Sequence, residues 1–236
     1  MNNTKSPGEN LMMLSAYVGP FAAFMGGLVL VSLVQMFAPM EGGGPLWIKE
    51  PKYWVYPLQT AVCAALLVWF WRHYEWGARR RTLAGVVAGL VVLGIWIAPQ
   101  WLLGAEPRTD GFNPDVFASS PALWWSSLAL RFVRLVVVVP LLEEIFWRGF
   151  LLRYLIKEDF TKVPFGEFSA VSFSVVTLMF GLAHWGADFI PAILTGVIYN
   201  FVAVKTKSLS ACVVAHAVTN LGLGIYIMQT KQWGFW

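Results

Sequence analysis

The feature that most restricts this chain is the length of its uncharged apolar runs. Residues 11–38, 53–71 and 82–104 contain no Asp, Glu, Lys or Arg, and 208–230 carries one ionisable side chain, His216, apart from Cys212 and Tyr226. A helix that crosses a bilayer needs roughly 20 apolar residues and closes its backbone hydrogen bonds within itself. Four spans follow. Less regular apolar stretches at 116–142, with Arg131 and Arg134 inside, and at 168–183 and 189–204 bring the expected total to seven or eight helices. The expected fold is an all-α polytopic transmembrane helix bundle in contact with the lipid bilayer.

Composition agrees, because 58% hydrophobic and 13% charged residues is too apolar for an ordinary soluble domain. The first run far exceeds the 7–15-residue core of a cleavable signal peptide, and Met1–Asn10 holds one Lys and one Glu, so it reads as an anchor that stays. Among the thirteen tryptophans, Trp54, Trp69, Trp71, Trp76, Trp101 and Trp233 lie near run ends and are expected in interfacial belts. The net charge of +4 comes from basic residues scattered at helix ends, which anchor to headgroups and set orientation, so no nucleic-acid partner is expected. Cys63 and Cys212 sit in apolar runs, where a free thiol acts as a small hydrophobe.

The densest basic loop holds Arg72, Arg79, Arg80 and Arg81, which the positive-inside rule puts in the cytoplasm together with the N-terminus, Lys205 and Lys207. Loop 39–52, with its Gly42-Gly43-Gly44-Pro45 turn, and loop 105–121, with Glu106, Asp110 and Asp115 against Arg108, face the other side. Segment 119–156 is too long for one span, and Pro140 is expected to break or kink a helix just before Glu143. No fixed-period repeat or long linker divides the chain. It reads as one membrane domain, 1–236, with N-terminal helices over 1–118 and a motif-bearing core over 119–229.

Ionisable residues at membrane depth cost about 2.5–3.5 kcal/mol each on insertion scales, so those present should be paired or functional. The segment Leu141-Leu142-Glu143-Glu144-Ile145-Phe146-Trp147-Arg148 puts two carboxylates and an arginine in an apolar context. On a helix Arg148 lies near Glu144 by i,i+4 spacing and Glu143 points about 100° away. Arg148 would then neutralise one carboxylate while the other keeps a tunable affinity for protons. Which carboxylate does which is open at this point, and so is the plainer reading in which these charges line a helix leaving the membrane. Phe180-Gly181-Leu182-Ala183-His184 ends an uncharged run on a histidine, and His216-Ala217-Val218-Thr219-Asn220 sets a His and an Asn one turn apart inside an apolar span. The pair could also join helices by hydrogen bonds worth about 1–2 kcal/mol.

In order, Glu-Glu-x-x-x-Arg, Phe-x-x-x-His and His-x-x-x-Asn on three helices resemble the motifs of the CAAX-protease and bacteriocin-processing (CPBP, Abi-type) family of intramembrane proteases. The resemblance covers roughly residues 119–229. Phe150-Leu151-Leu152-Arg153-Tyr154-Leu155 and the ending Gly222-Leu223-Gly224-Ile225-Tyr226…Gln232-Trp233-Gly234-Phe235-Trp236 are similar to the bacterial CAAX-protease-related subgroup associated with exosortase systems, which implies a bacterial inner membrane. The resemblance implies that Glu143 and His184 activate a water, that His216 and Asn220 stabilise the oxyanion, and that Glu144 and Arg148 support Glu143. The substrate it implies is a membrane-associated protein or peptide, and no cofactor is required. A three-ligand zinc site is weighed and not favoured, because the His-Glu-x-x-His signature is absent and Glu143, His184 and His216 come singly from separate helices. Covalent schemes are disfavoured, since Ser172, Ser174 and Ser210 lack a Gly-x-Ser-x-Gly elbow and Cys212 is four residues from His216 on the same helix. Two rivals remain: a proton-coupled transporter or channel using Glu143, Arg148, His184 and His216 as a relay, and a non-catalytic scaffold. Asn220 favours hydrolysis over the relay, because Asn carries no proton.

Overall fold

The computed structural model describes residues 7–37, 45–78 and 81–236. The expected turn at Gly42–Gly44 and the basic residues Arg79 and Arg80 lie outside them. The described residues form eight helices and no strand: α1 Pro7–Met36, α2 Leu46–Lys49, α3 Lys52–Trp69, α4 Thr82–Leu102, α5 Pro121–Tyr154, α6 Ala170–Ala183, α7 Phe189–Thr206 and α8 Leu209–Thr230. This is the expected all-α bundle. Five of the helices, α1, α4, α5, α7 and α8, are long and apolar enough to cross a membrane.

Local sequence sets the boundaries. Pro121 opens α5 where no intrahelical N–H partner is needed. Ser169 and Ser208 cap α6 and α8 by accepting from the backbone N–H of Ser172 and Ala211. Both α7 and α8 stop at a lysine in the left-handed region, Lys207 at φ 50° and Lys231 at φ 56°, each donating its N–H four residues back.

Three expectations are corrected. Segment 119–156 is not broken: α5 runs unbroken for 34 residues, about 51 Å at 1.5 Å per residue and hence longer than a bilayer core. Pro140 is absorbed because a π-helical turn, Arg134–Val138, precedes it, and a second one, Ile145–Leu151, follows. The expected span 53–71 is a helix that ends at Trp69 and falls outside the five, because Lys52, Tyr53, Tyr56, Pro57 and Gln59 dilute its first half. Trp233 is not in a belt. It is buried with Leu223, Ile227 and Phe235, whereas Trp69 and Trp101 are exposed at 78% and 74%.

Helix α8 packs on α4, α5 and α7. Its contact with α4 runs through small residues: a Cβ added at Gly85 would strike the Ala211 carbonyl, and one at Gly89 the Ala215 carbonyl. Such close approach is how helices associate where lipid removes the hydrophobic drive. It is fastened by Thr219 Oγ1, which donates to Gly89 O at 2.8 Å. Thr219 has one proton, so the Tyr199 hydroxyl donates to it at 2.7 Å.

The loops gather at two ends. At one, Ser208 and Ser210 donate to the Trp76 carbonyl, Arg81 to Thr206 O, Lys207 to Gly166 O, and Arg153 pairs with Glu75 at 3.3 Å. At the other, Arg108 holds Asp188 through two contacts of 2.6 and 2.8 Å and accepts from Gly234 N, while Lys52 donates to Gly111 O.

We expect Gly85→Val to force α4 and α8 apart and lower stability by about 1–3 kcal/mol, read as earlier thermal unfolding in detergent. A Val at Gly94, where a Cβ meets nothing within 4 Å, is the control and should change little. Equal effects at both positions would refute the packing account.

Candidate active site

Two carboxylates adjacent in sequence have different surroundings. Glu144 is fully buried, and its Oε1 accepts from Arg148 Nη1 at 3.0 Å and from His216 Nδ1 at 2.9 Å. Arg148, also fully buried, donates from Nε to Asn200 Oδ1 at 3.1 Å. Asn200 in turn donates to Phe173 O and Thr177 Oγ1 at 3.2 and 3.1 Å. A continuous polar chain thus crosses from α8 through α5 and α7 to α6. The i,i+4 pairing expected from spacing forms on Glu144, so the carboxylate left without an arginine is Glu143.

Glu143 makes no ion pair among the described residues, and its Oε2, like Glu144 Oε2 and Arg148 Nη2, is buried without a hydrogen-bond partner. It faces two cavities. One, of about 180 Å³, is lined by Glu143, His184, His216 and Asn220 together with Tyr199 and Thr219. The other, of about 280 Å³, carries Glu143 and His184 with Arg131, Arg134 and residues of α1. The structure therefore brings four of the six predicted site residues to one cavity and sets Glu144 and Arg148 behind it. Asp188, Gly234 and Phe235 also line the first cavity, so it reaches the end held together by Arg108. None of the described residues in 70–78, 81, 155–169 or 205–208 lines either one.

The tautomers follow from partners. His184 Nδ1 lies 2.9 Å from Phe180 O, and a carbonyl only accepts, so Nδ1 bears the proton and Nε2 of the neutral ring keeps its lone pair. Asn220 Nδ2 donates to Leu135 O at 2.8 Å, which fixes the orientation of that amide and commits one of its N–H groups. The reason is Pro140. In the π turn, Val139 N–H bonds Arg134 O five residues back. The next donor in that register would be residue 140, and proline has no N–H, so Leu135 O is left for Asn220.

Sequence reasoning missed Asn200 and Tyr199, although a Tyr-Asn pair inside the run 189–204 was the available signal. It noted Arg131 and Arg134 without assigning them. Cys212 lies outside both cavities, its thiol directed to Ser208 O at 3.5 Å. Among the described residues, no three His, Cys, Asp or Glu side chains converge to hold a metal ion.

Removing Arg148 leaves Glu144 buried with its cation gone. Arg148→Ala should cost about 3–5 kcal/mol, whereas Glu144→Gln with Arg148→Met should recover most of it. Thermal unfolding of both variants decides, and a double variant as unstable as the single one would refute the account. The Pro140 argument gives a second expectation: Asn220→Leu should cost about 1–3 kcal/mol in the native background and at least about 0.5 kcal/mol less in Pro140→Ala, where an N–H returns to Leu135 O. Equal costs in both would disprove the link.

Residues 124–222, fewer than half of the chain, match the family model described as Type II CAAX prenyl endopeptidase Rce1-like. No curated protein and no solved structure matches the chain. The matched segment contains all six predicted site residues, and this is the family to which that part of the chain is similar.

Proposed function

We propose that the protein is an intramembrane endopeptidase that hydrolyses a peptide bond of a membrane-associated substrate with a water activated by Glu143 and His184. The observation that carries this reading is the convergence of Glu143, His184, His216 and Asn220 on one cavity while Glu144 is held by Arg148 behind it. The family match supports the same class of chemistry.

In the reaction, a water sits between the Glu143 carboxylate and His184 Nε2. Glu143 takes its proton, the resulting hydroxide adds to the scissile carbonyl, and the new oxyanion accepts from the second N–H of Asn220 and from His216. His216 Nδ1 is engaged with Glu144, which leaves Nε2 as the ring nitrogen for that contact. Collapse of the tetrahedral intermediate breaks the C–N bond, and Glu143 returns the proton to the leaving amine. Preorganised donors of this kind are worth roughly 10²–10³ in rate.

The reading is metal-independent and places the chain in a bacterial inner membrane, as the exosortase-associated resemblance of residues 150–155 and 222–236 implies. Its orientation rests on the positive-inside rule: Arg72, Arg81, Lys157, Lys162, Lys205 and Lys207 share one end, so that end and the N-terminus are cytoplasmic. The end of the cavity lined by Asp188 then faces the other side.

The test is quantitative mass spectrometry of membrane-protein fragments from cells carrying the native protein or Glu143→Gln at matched levels. Specific fragments should vanish in the variant, and they should persist when the purified native protein acts on the same substrate in the presence of a zinc chelator. Coincident fragment profiles, or proton flux abolished by Glu143→Gln, would transfer the assignment to the relay. Loss of cleavage to the chelator, restored by zinc, would replace the metal-free step.

A further inference from the structure

The larger of the two cavities holds a charge pattern that the reaction above does not use. Arg131 and Arg134 lie three residues apart on α5, and they are exposed at 7% and 6%. Among the described residues neither has a carboxylate within salt-bridge distance. Arg134 donates to the neutral Gln59 Oε1 and stacks over Tyr56 and Phe24. Arg131 lies against the ring faces of Tyr56, Phe112 and Trp236 at 5.1–5.3 Å, and its Nε is buried without a hydrogen-bond partner. Buried arginines elsewhere in this chain are treated differently: Arg148 has Glu144 and Arg153 has Glu75.

Two guanidinium groups one turn apart repel each other, and aromatic faces offset only part of the cost of burying them. Among the described residues Glu143 is the one side-chain carboxylate that lines the same cavity, and it is not within ion-pair distance of either arginine, so two cations there share one anion and the site is short of a second. Lining the same cavity are Glu143 and His184, so an anion seated there belongs to whatever lies against the water-activating pair. The guanidinium fork matches a carboxylate.

We propose that Arg131 and Arg134 form a subsite for a carboxylate of the substrate, which anchors the peptide while Glu143 acts on a bond nearby. The inference rests on the endopeptidase reading and sets its register. Nine residues separate Arg134 from Glu143, about 14 Å along the helix at 1.5 Å per residue, and all side chains on α5 lean toward its N-terminus alike. An extended peptide covers about 3.3 Å per residue, so the anion sits roughly four residues from the cleaved bond. A C-terminal carboxylate and an Asp or Glu side chain offer the same chemistry, and a lipid phosphate is the competing source outside the peptide.

The experiment uses a set of short apolar peptides, each made with a free C-terminal carboxylate and as the C-terminal amide. Binding is measured to the full chain carrying Glu143→Gln, reconstituted in phosphatidylcholine nanodiscs. We expect the free acids to bind at least tenfold more tightly than the amides. Arg131→Gln and Arg134→Gln, each added to the same background, should erase that gap, and Arg134→Lys should keep part of it; unfolding temperatures identify any variant that has lost its fold, and a gap that survives in folded Gln variants overturns the subsite. An internal acidic side chain as the anchor would appear as acid-independent binding that Asp-to-Asn peptides lose, and it would support the subsite with that source. A gap that disappears when phosphatidylglycerol replaces phosphatidylcholine assigns the arginines to lipid and overturns the proposal. If the acids bind preferentially but the native protein cuts none of the peptides, the subsite stands and the endopeptidase reading fails. If the native protein cuts acids and amides alike, that reading stands and the subsite fails.

Discussion

The carboxylate of Glu144 is the point on which the interior of this bundle turns. In an apolar setting a buried ion pair gains from each further donor and acceptor that its neighbours supply. Here four helices supply them: α5 carries Glu144 and Arg148, α8 brings His216, α7 brings Asn200, and α6 brings Thr177 and the Phe173 carbonyl, while Glu144 Oε2 and Arg148 Nη2 stay buried without a partner. Of the helices that line the smaller cavity, α5, α6, α7 and α8 are therefore also partners in the chain of hydrogen bonds beneath it, and α4, which contributes Trp96, is not. The same chain separates the two carboxylates in role, because Arg148 and His216 converge on Glu144 and leave Glu143 to the cavity.

Much of this was legible in the sequence. The uncharged runs at 11–38, 82–104 and 208–230 gave helices because nothing else can satisfy a backbone in lipid, and the i,i+4 spacing of Glu144 and Arg148 gave their pairing. Other features were not legible, and for definite reasons. Whether Trp233 lies at the interface or under it depends on the loop carrying Arg108, which folds back to accept from Gly234 and lies 124 residues away in sequence from the Gln232 side chain it also meets. Asn200 reads as one more polar residue in a short apolar run until Arg148 is seen opposite it. Arg131 and Arg134 look like interfacial charges near the start of a helix, and only the burial of their guanidiniums among Tyr56, Phe112 and Trp236 separates them from that ordinary case.

The expectation at Pro140 is the most instructive. Proline was read as a break or kink because, in an α-helix, its ring clashes with the carbonyl four residues back and its missing N–H leaves a gap, and of the two no break forms. A π turn just upstream changes both terms. It widens the helix by one residue, so the unpaired carbonyl becomes Leu135, five residues back, and it turns the gap into an acceptor that α8 fills with Asn220. The helix stays whole, and the motif asparagine is tied to the bulge.

That bulge also decides which residues of α5 share a face. At about 100° per residue an unbroken α-helix would put Glu143 about 120° from Arg131 and about 180° from Arg134. Absorbing one residue in the π turn removes about 100° of rotation, which brings Glu143 to within about 20° of Arg131 and about 80° of Arg134. The three side chains do line one cavity, which the bulged register favours over the regular one. The π turn, Pro140 and Asn220 thus act as one device: the proline prevents the turn from relaxing through its own N–H, the asparagine closes the carbonyl that results, and the rotation they hold puts the free carboxylate on the same face as the unpaired arginines.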